Sequence, residues 1–386
     1  MGRALVAEGH SVRVIGMYSW SHLAPEYEED QGVQVWRIRR PRPRWGWLWG
    51  RYRIFRAVSK WSRNQEIDLV EVADYSGAAA KWPKLPVPVI IRLHGSATYF
   101  AKELNRKIKN IDYWLENSSL KRADFVCSVS QYTAKQTQRA FNLPLNSVAV
   151  LYNFVESTPP QVDQTRSNEK VVFSGTLTSK KGIISLIKAW RTVLTERKDA
   201  QLHIYGKDVL SEANSLIRQT VCKEIEAIQK DSVYFHGHVP REEVLDALLQ
   251  ARLGVFPSYA ESFGLAPAEA MAAACPTIYT ERGCGGELVR DHKDGLLIDP
   301  DKPEQIAEAI LRLLQDDSFA TQLGTAGQDR IREKFSPAVL MPQNIAFYHN
   351  CIAIFSLRRS AITNLKNGNT ASNLSNIDSS GSNRNL

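Results

Sequence analysis

The sequence predicts an α/β protein with two domains, each built on a parallel sheet that helices cover. Three observations lead to this fold class. Short apolar segments with strand character alternate with helical segments, which is typical of parallel sheets. The alternation stops at residues 156–169, a polar linker that contains Pro159 and Pro160, and then resumes. The 386 residues are enough for two domains with a core each.

The first predicted domain covers residues 1–155 and contains the first series of strands. Its strands are predicted at residues 11–16, 32–38, 67–72, 87–93, 125–130 and 148–151. A helix that Gly9 ends precedes the first strand, and another helix is predicted at residues 111–120. We therefore expect a parallel sheet with helices packed on it.

The second predicted domain covers residues 170–339 and repeats the alternation. Its strands are predicted at residues 171–174, 201–206, 233–235 and 253–256 and near Ile278 and Leu297, with helices at 183–194, 241–249 and 303–315. A further helix is predicted at residues 340–356. Residues 357–386 are rich in Ser, Asn and Gly, and we expect them to be disordered because they hold too few large apolar side chains.

The stretch at residues 256–300 predicts a ligand site at one edge of the second sheet. Glu261 lies on the loop between an apolar strand and a helix, and Glu269 lies inside that helix. A glycine-rich turn with Gly285 and Gly286 begins another helix, and free N–H groups at a helix start bind anions. Ligands bind at the carboxyl ends of parallel strands. The combination suits a ligand with sugar hydroxyls at one end and a diphosphate at the other.

The positive charge of the chain is concentrated in one segment. The formal net charge is +8, whereas residues 37–63 hold nine Arg, one Lys and no acidic residue. Tryptophans cluster in and just before the same segment, and such rings settle in the headgroup region of membranes. We predict that the segment docks on an anionic membrane surface or a polyanionic acceptor, through Arg42, Arg44, Trp45, Trp47 and Trp49. The alternative is a solvated basic loop that covers the sheet.

The cysteines and the composition indicate an ordinary globular protein. Hydrophobic residues make up 43% and charged residues 23% of the chain. The five cysteines are scattered without zinc-ligand spacing, so we expect reduced thiols in a cytoplasmic protein, peripheral at the inner face of the membrane. A nicotinamide dehydrogenase is excluded because no G-x-G-x-x-G follows a strand. No nucleic-acid partner is expected.

Ten consecutive residues carry a resemblance to a known family. Residues 261–270 have the sequence ESFGLAPAEA, with seven residues between two glutamates and Phe-Gly shortly after the first. This stretch resembles the donor-binding segment of the retaining glycosyltransferases of family 4, which have the GT-B fold. The resemblance implies two Rossmann-like domains that face a central cleft, with the helix at 340–356 crossing back onto the first domain.

The resemblance also implies a reaction. A sugar would move from a nucleotide-diphosphate sugar to a glycan, lipid-linked or small-molecule acceptor, with retention of anomeric configuration. Glu269 would bind the ribose hydroxyls and Glu261 a hydroxyl of the donor sugar. The neighbouring donor-binding residues would be Phe263, Gly264 and Leu265.

The diphosphate would be held by a lysine and by backbone amides. Lys181, with the amides of Gly285 and Gly286, would stabilise charge on the leaving diphosphate, which is the main catalytic task. We expect no metal and no cofactor, because the lysine does the neutralising. The donor substrate, a nucleotide sugar, is the only small molecule required.

The segment at residues 174–182 departs from the family pattern at one position. Gly175 permits a tight turn after a strand, and Lys180 or Lys181 can reach a phosphate. The family has Gly-Arg here, but Thr176 stands in place of the arginine, and we expect Lys180 to take over its contact. The alternative is a solvated lysine pair at a helix start, where cations are unfavourable.

Three further residues are assigned with the help of the resemblance. His94 follows an apolar strand and would lie in the cleft near the transferred sugar, so that His94, Glu261 and Lys181 form the catalytic set. Gly237 would lie beside the nucleotide base, with a plain turn as the equal alternative. Glu287 is expected to complement the dipole of its own helix in the first turn.

Two expectations concern the activity of the chain as given. In the family, the first domain begins with a strand, a Gly-rich loop and a helix, whereas Met1 falls inside that helix here. We expect that the N-terminal strand is missing, that the chain is unstable or inactive, and that an upstream extension with an apolar strand and a Gly-Gly turn restores it. The alternative function is a non-catalytic partner with the GT-B fold, which Thr176 also favours.

Overall fold

The structure, a computed structural model, describes residues 1–18, 24–39, 46–144, 147–156, 166–209, 219, 221, 224 and 230–366. These residues form two α/β halves. The first half contains α1 (Gly2–Ala7), β1 (Val12–Tyr18), β2 (Tyr27–Asp30), β3 (Val33–Arg39), α2 (Gly46–Arg63), β4 (Val70–Ala73), β5 (Val89–Leu93), α3 (Ala97–Glu103), α4 (Asn110–Arg122), β6 (Phe125–Ser128), α5 (Gln131–Phe141) and β7 (Val148–Val150).

The strands of the first half form two sheets. One has the order β1-β3-β2, in which β2 is antiparallel to β3, and the other has the parallel order β4-β5-β6-β7. Every side chain of β5 is buried, since helices cover both faces of this sheet. Within the described residues no ladder joins β1 to β4, and a cavity of about 440 Å³ lies between them. The expectation of a missing strand stays a prediction.

The basic segment is mainly helical, which corrects the alternative of a basic loop. Residues 46–63 form α2, whose buried small residues face the sheet and whose Trp49 and Tyr52 are exposed. The tryptophans obscured this helix in the sequence, because aromatic residues have modest helix propensity. Arg42, Arg44 and Trp45 lie outside the described residues.

The second half is a single doubly wound sheet. It contains β8 (Lys170–Ser174), α6 (Ile183–Glu196), β9 (Gln201–Tyr205), β10 (Val233–Gly237), α7 (Arg241–Gln250), β11 (Leu253–Phe256), α8 (Leu265–Ala272), β12 (Thr277–Thr280), α9 (Gly285–Leu288), β13 (Leu296–Ile298), α10 (Pro303–Gln315), α11 (Asp317–Arg330) and α12 (Pro337–Lys366). All six strands are parallel in the order β10-β9-β8-β11-β12-β13. This is the Rossmann order, which places ligands at the carboxyl edge near β8 and β11.

The last helix crosses from the second half to the first. On α12, Asn344 and Tyr348 contact Arg92 of β5, and Tyr348 also contacts Glu71 of β4. The helix continues to Lys366, so the expectation of disorder is wrong for residues 357–366. Contacts with the first half stabilise this extension, since Arg359 donates to the carbonyl of Pro86 at 2.5 Å. Residues 367–386 lie outside the described part.

Two remaining expectations concern the linker and the membrane. Within the predicted linker at 156–169, Arg166 donates to the carbonyls of Leu248 and Ala251, which fastens its end to the second half. The domain boundaries themselves stay a prediction. Among the described helices, none combines the length and apolar character needed to cross a bilayer.

Candidate active site

Glu261 and Lys181 meet at the carboxyl edge of the second sheet. The Lys181 ammonium forms an ion pair with Oε1 of Glu261, and the Ser258 hydroxyl donates to the same oxygen at 2.9 Å. Glu261 is only 8% exposed, so water screens this pair weakly. The two residues that the sequence assigned to catalysis on this half therefore lie in direct contact.

A tight approach of two loops brings this pair together. Lys181 ends a 3₁₀ turn after β8, and the Tyr259 amide donates to the Lys180 carbonyl at 2.7 Å. Gly182 follows with φ of 71°, and a Cβ there would lie 1.8 Å from the Pro257 carbonyl oxygen. Only glycine fits this position, which sets the lysine turn against the end of β11.

The loop that carries Glu261 also depends on a glycine. Gly264 has φ of 90°, and a Cβ there would lie 2.3 Å from the Tyr279 hydroxyl. Leu265, which begins α8, is half exposed. The Phe263 ring is 3% exposed and packs against Phe335 at a centroid distance of 5.6 Å. The Phe263 ring therefore supports the loop from the core, and the assignment of Phe263 to donor binding stays a prediction.

Glu269 has a partner that the sequence did not reveal. Nε of Arg241 donates to Oε1 of Glu269 at 2.8 Å, and the Glu269 side chain is 19% exposed. Arg241 is the first residue of α7, two elements before α8 in the chain. The sheet order places α7 and α8 next to each other, and no sequence signal links these residues across that distance. Within the described residues, no hydrogen bond or ion pair joins Glu269 to Glu261 or Lys181.

Three glycines follow three adjacent strands at the same sheet edge. Gly175 follows β8, Gly206 follows β9, and Gly237 ends β10. The Gly206 amide donates to the Gly237 carbonyl at 2.8 Å, and a Cβ on Gly206 would lie 1.9 Å from the Gly175 carbonyl oxygen. A Cβ on Gly237 would meet nothing within 4 Å. Gly206 was missed, although a glycine directly after each strand was a visible signal.

Thr176 and Lys180, the neighbours of Lys181 in the predicted site, have surroundings different from those of Lys181. Thr176 is exposed, and the Lys180 ammonium lies 3.7 Å from the centre of the Phe100 ring of the first half. Burial lowers the pKa of Lys180, and the positive charges of Lys181 and Arg106 act in the same direction. Lys180 lines a cavity of about 320 Å³ together with Arg106 and Lys188, and Lys181 is not among its lining residues.

The glycine-rich turn offers one of the two predicted amides. The Gly285 amide donates to the Arg282 carbonyl at 3.2 Å, and a Cβ there would lie 1.9 Å from the Thr280 carbonyl oxygen. The Gly285 amide therefore has a partner within the turn, and its predicted contact with the diphosphate stays a prediction. A Cβ on Gly286 would meet nothing within 4 Å, so this glycine borders open space.

Glu287 lies in the first turn of its own helix, as expected, and it also links the two halves. Its carboxylate accepts the amides of Gln131 and Tyr132 at 2.8 Å and 2.7 Å. It also accepts the Tyr152 hydroxyl at 3.0 Å. The amides belong to the first turn of α5 in the first half, where a carboxylate is stabilised by the helix dipole. The sequence hid this contact because the partner helix lies more than a hundred residues away.

His94 lies at the carboxyl end of β5, on a loop that a buried carboxylate holds. Asp74 accepts the amides of His94 and Gly95 at 2.9 Å and 3.2 Å. Burial, reinforced by the charge of Arg92, lowers the pKa of His94, so its imidazole is neutral at pH 7. Asp74 was missed by the sequence analysis, although it closely follows a predicted strand on the same sheet edge.

The basic segment forms one side of a large cleft on the first half. This basic-aromatic cleft has a volume of about 1090 Å³ between β3 and α2, and its lining includes Trp49, Tyr52, Arg53, Arg56 and Lys60. Trp49 is 54% exposed, whereas Trp47 is half-buried beside the Arg51 guanidinium, 5.4 Å from the ring centre. The cleft thus combines cations with exposed rings.

Two family models together match most of the chain. The model described as Glycosyltransferase Family 4 matches residues 1–158, and the model described as Glycosyl transferases group 1 matches residues 156–330. They meet at the beginning of the predicted linker. The site described above lies mainly in the second matched region.

Individual proteins are similar over nearly the full length. An uncharacterised glycosyltransferase of Methanocaldococcus jannaschii is 26% identical over 356 residues, which cover 87% of this chain and 88% of that protein. Sucrose-phosphate synthase of Thermosynechococcus elongatus has a TM-score of 0.78 at 21% identity, covering 92% of both chains. Anabaena HepE, solved in complex with UDP and glucose, has a TM-score of 0.66 at 17% identity, covering 83% of this chain and 87% of that one.

The fold comparisons agree with the architecture of two Rossmann-like halves. The family matches agree with the strand–loop–helix that carries Glu261 and Glu269. The chain belongs to the family 4 glycosyltransferases of the GT-B fold, and it is a glycosyltransferase.

Proposed function

We propose that this protein transfers a sugar from a nucleotide-diphosphate sugar to an acceptor with retention of the anomeric configuration. The observation that carries the proposal is the buried contact between Glu261 and Lys181 at the carboxyl edge of the second sheet. A carboxylate and an ammonium side by side suit a ligand that carries hydroxyls next to a diphosphate. The solved complex of Anabaena HepE with UDP and glucose, a protein of the same fold, supports this donor class.

In this proposal the second half binds the donor. Lys181 and the Gly286 amide take the diphosphate, and the developing charge on the leaving group is stabilised there. Glu261 accepts a hydroxyl of the donor sugar, with Leu265 and the backbone of Phe263 and Gly264 beside it. Glu269 accepts the ribose hydroxyls in place of Arg241, which is half exposed and free to move aside.

The remaining donor contacts follow the sheet edge. Gly175 and Gly237 give the nucleotide room to approach the backbone, and Gly206, which lies between them, shares this edge. Thr176 and Lys180 are proposed to contribute at the outer side of the diphosphate. Metal independence belongs to the proposal, since an ammonium supplies the positive charge.

The first half binds the acceptor in this proposal. Neutral His94 both donates and accepts hydrogen bonds, which suits hydroxyls near the transferred sugar. The acceptor is a glycan, lipid-linked or small molecule. Sucrose-phosphate synthase and α-maltose-1-phosphate synthase, named among the similar proteins, are consistent with sugar acceptors.

Transfer assays with purified protein test the proposal. The protein is incubated with UDP-, GDP- and ADP-sugars and an acceptor panel, with and without EDTA, and nucleoside diphosphate release is measured. We expect release with one donor class, equal rates with EDTA, and an unchanged anomeric configuration by NMR. A non-catalytic GT-B partner would release no nucleoside diphosphate from any donor, and an inverted product would contradict retention.

The basic-aromatic cleft is proposed to dock on the anionic inner face of the cytoplasmic membrane. Each basic residue near such a surface contributes about 1 kcal/mol, screened by salt. We expect flotation with vesicles that contain anionic lipid, loss of flotation at high salt, and weaker flotation for Arg53→Gln and Trp49→Ala. Trp114→Ala is the control, since this exposed tryptophan lies on α4, outside the cleft. Equal recovery with neutral and anionic vesicles would contradict docking.

A further inference from the structure

Two hydroxyl groups of the first half hold the loop that carries Glu261. The Tyr99 hydroxyl donates to the backbone carbonyl of Glu261 at 2.8 Å. The Thr133 hydroxyl donates to the backbone carbonyl of Ser262 at 3.1 Å. Tyr99 is 1% exposed and Thr133 is fully buried, so water does not compete for these two hydroxyl groups. The two contacts therefore join the halves at the candidate catalytic carboxylate.

The donors are fixed by structure on their own side. Tyr99 lies on α3, whose N-cap Ser96 accepts the Tyr99 amide at 3.2 Å. The Ser130 hydroxyl donates to Oγ1 of Thr133 at 2.9 Å, which leaves the Thr133 proton for the Ser262 carbonyl. A Cβ on Gly95 would lie 2.8 Å from the Phe100 ring, so α3 packs tightly beneath the His94 loop.

These two hydrogen bonds form only while the two halves are together. When the halves separate, both carbonyls become accessible to water, which replaces the lost hydrogen bonds. When the halves are together without the hydroxyls, the Glu261 carbonyl stays buried and unsatisfied and the half-buried Ser262 carbonyl loses its donor, which is costly. The hydroxyls therefore stabilise the closed arrangement specifically, and in that arrangement they fix the backbone from which the Glu261 side chain extends.

We propose that Tyr99 and Thr133 are positioning residues, which set the Glu261 loop on the second half against the His94 loop on the first. The proposal deepens the proposed function and rests on it, because Glu261 acts there on the donor sugar. Neither hydroxyl touches substrate. Their effect passes through the carbonyls of Glu261 and Ser262, so it concerns turnover in the closed arrangement rather than nucleotide affinity.

The chain offers matched controls for the test. Tyr99→Phe and Thr133→Val each remove one hydroxyl and keep the shape. Thr137→Val removes a hydroxyl that is equally buried on the same helix α5 and has no hydrogen-bond partner in the described part of the chain. Tyr113→Phe removes a hydroxyl from a half-exposed ring of the first half that stacks on Phe141. Thr133→Ser restores the donor in the smaller side chain.

Two measurements decide the proposal. With the donor that the parent protein uses, we expect kcat to fall about tenfold in Tyr99→Phe and Thr133→Val, with the dissociation constant for the nucleoside diphosphate changed less than twofold. Thr133→Ser should recover most of kcat, and Thr137→Val and Tyr113→Phe should behave like the parent. Parent-like kcat in both test variants would overturn the proposal.

The second measurement does not depend on catalysis. Amide hydrogen exchange in the segment 258–266 should be at least fivefold faster in Tyr99→Phe and Thr133→Val than in Thr137→Val and Tyr113→Phe. If the parent transfers no sugar, the proposed function fails, and the exchange result still decides whether these hydroxyls hold the loop. Exchange equal to that of the two controls would overturn the positioning role.

Discussion

At the residue scale, the candidate site depends on charges that satisfy each other in a buried place. Glu261 has the Lys181 ammonium and the Ser258 hydroxyl as donors and is 8% exposed. Glu269 has Arg241. A largely buried carboxylate without its partner is costly, so each cation keeps its carboxylate oriented. In the proposed function, groups of the donor take the place of these cations.

Removing Lys181 or Glu269 tests this site directly. A charge-assisted hydrogen bond contributes roughly 1.5–3 kcal/mol, so Lys181→Ala and Glu269→Ala should each lower donor affinity or turnover at least tenfold. Lys198→Ala is the control, since this exposed lysine precedes β9 at the opposite sheet edge. The measurement is the initial rate over a range of donor concentrations. Parent-like kinetics in both test variants would show that the site is assigned wrongly.

Site residues that follow strands of one sheet could be predicted from the sequence. Residues that act through contacts with distant elements could not. Glu261 and Lys181 each follow a strand of the same sheet, and the carboxyl ends of parallel strands share one edge. Asp74, Arg241 and Tyr99 act through backbone groups or side chains of distant elements. Those contacts depend on packing angles that no local pattern encodes.

At the element scale, the outer strands of the second sheet carry an aromatic stack. His203 stacks on Tyr234 with ring centres 4.8 Å apart, and His236 stacks on Tyr205 at 4.2 Å. Nδ1 of His203 lies 3.0 Å from Nε2 of His236, so one ring donates to the other. This bond requires at least one neutral ring. The hydrogen bond between His203 on β9 and His236 on β10 therefore disfavours protonation of both rings.

The stack predicts a loss of stability in acid. Burial first, then the charge of Lys170, lowers the pKa of His203 to about 4, below the ordinary value of 6.5. A lowered pKa makes this contribution complete above pH 6.5 and lost as the pH falls toward 4, because the unfolded chain takes the proton first. His203→Phe keeps the stacking and should remove on the order of 1 kcal/mol of this pH dependence, allowing for partial exposure. Urea unfolding at pH 5 and pH 8 measures the free energy of unfolding at each pH. If the difference between the two pH values is the same in His203→Phe as in the parent, the assignment is contradicted.

Helix α5 provides a second prediction at this scale. Its first amides donate to Glu287 of the other half, which acts as a cap supplied from outside the helix. Glu287→Ala should lower the free energy of unfolding by about 1–2 kcal/mol, the usual contribution of a helix cap. Glu308→Ala is the control, since that glutamate is exposed on α10. Equal urea midpoints for both variants would contradict the capping role.

Element boundaries followed from the sequence where apolar runs were uninterrupted. Strands β5, β9 and β11 and helices α6 and α10 agree with their predictions within a few residues. The predicted strand at 125–130 was too long, because Ser130 is the N-cap of α5. The helix α12 was predicted too short, because its last turns expose side chains such as Leu357 and lack the periodic apolar face of a buried helix.

At the scale of the whole molecule, α12 joins the two halves through a buried ion network. Arg92 of β5 pairs with Glu71 at 2.9 Å and donates to Asn344 at 2.8 Å and to Tyr348 at 3.0 Å. Arg92 is 2% exposed. Because Arg92 is two residues before His94, the helix that begins on the second half supports the strand that carries the His94 loop.

The network should be sensitive to the loss of one member. Arg92→Met removes a buried cation and leaves Asn344 and Tyr348 without this donor, while the Glu71 side chain stays partly exposed to water. The free energy of unfolding should therefore fall by about 1–3 kcal/mol. Arg358→Met is the control, since Arg358 lies near the exposed end of α12, over the Phe125 ring. Chemical denaturation measures the difference. A loss below about 1 kcal/mol would place the network among weak surface pairs.

The division into two Rossmann-like halves was predictable, whereas their contact was not. Alternation of strands and helices indicated two parallel sheets, and the observed order of the second sheet agrees with that class. The interface includes single hydrogen bonds that Tyr99, Thr133 and Glu287 form with groups more than a hundred residues away. Such contacts follow from the relative placement of the halves, which strand patterns do not determine.

Saturation-transfer NMR with UDP-, GDP- and ADP-sugars tests the central claim most directly, that the second half binds a nucleotide sugar at Glu261, Lys181 and Glu269. We predict saturation transfer to the ribose and sugar protons of one nucleotide class in the parent protein. The signal should weaken strongly in Glu269→Ala and Lys181→Ala and persist in Lys198→Ala. No transfer to any nucleotide sugar, or equal transfer in all three variants, would contradict the claim.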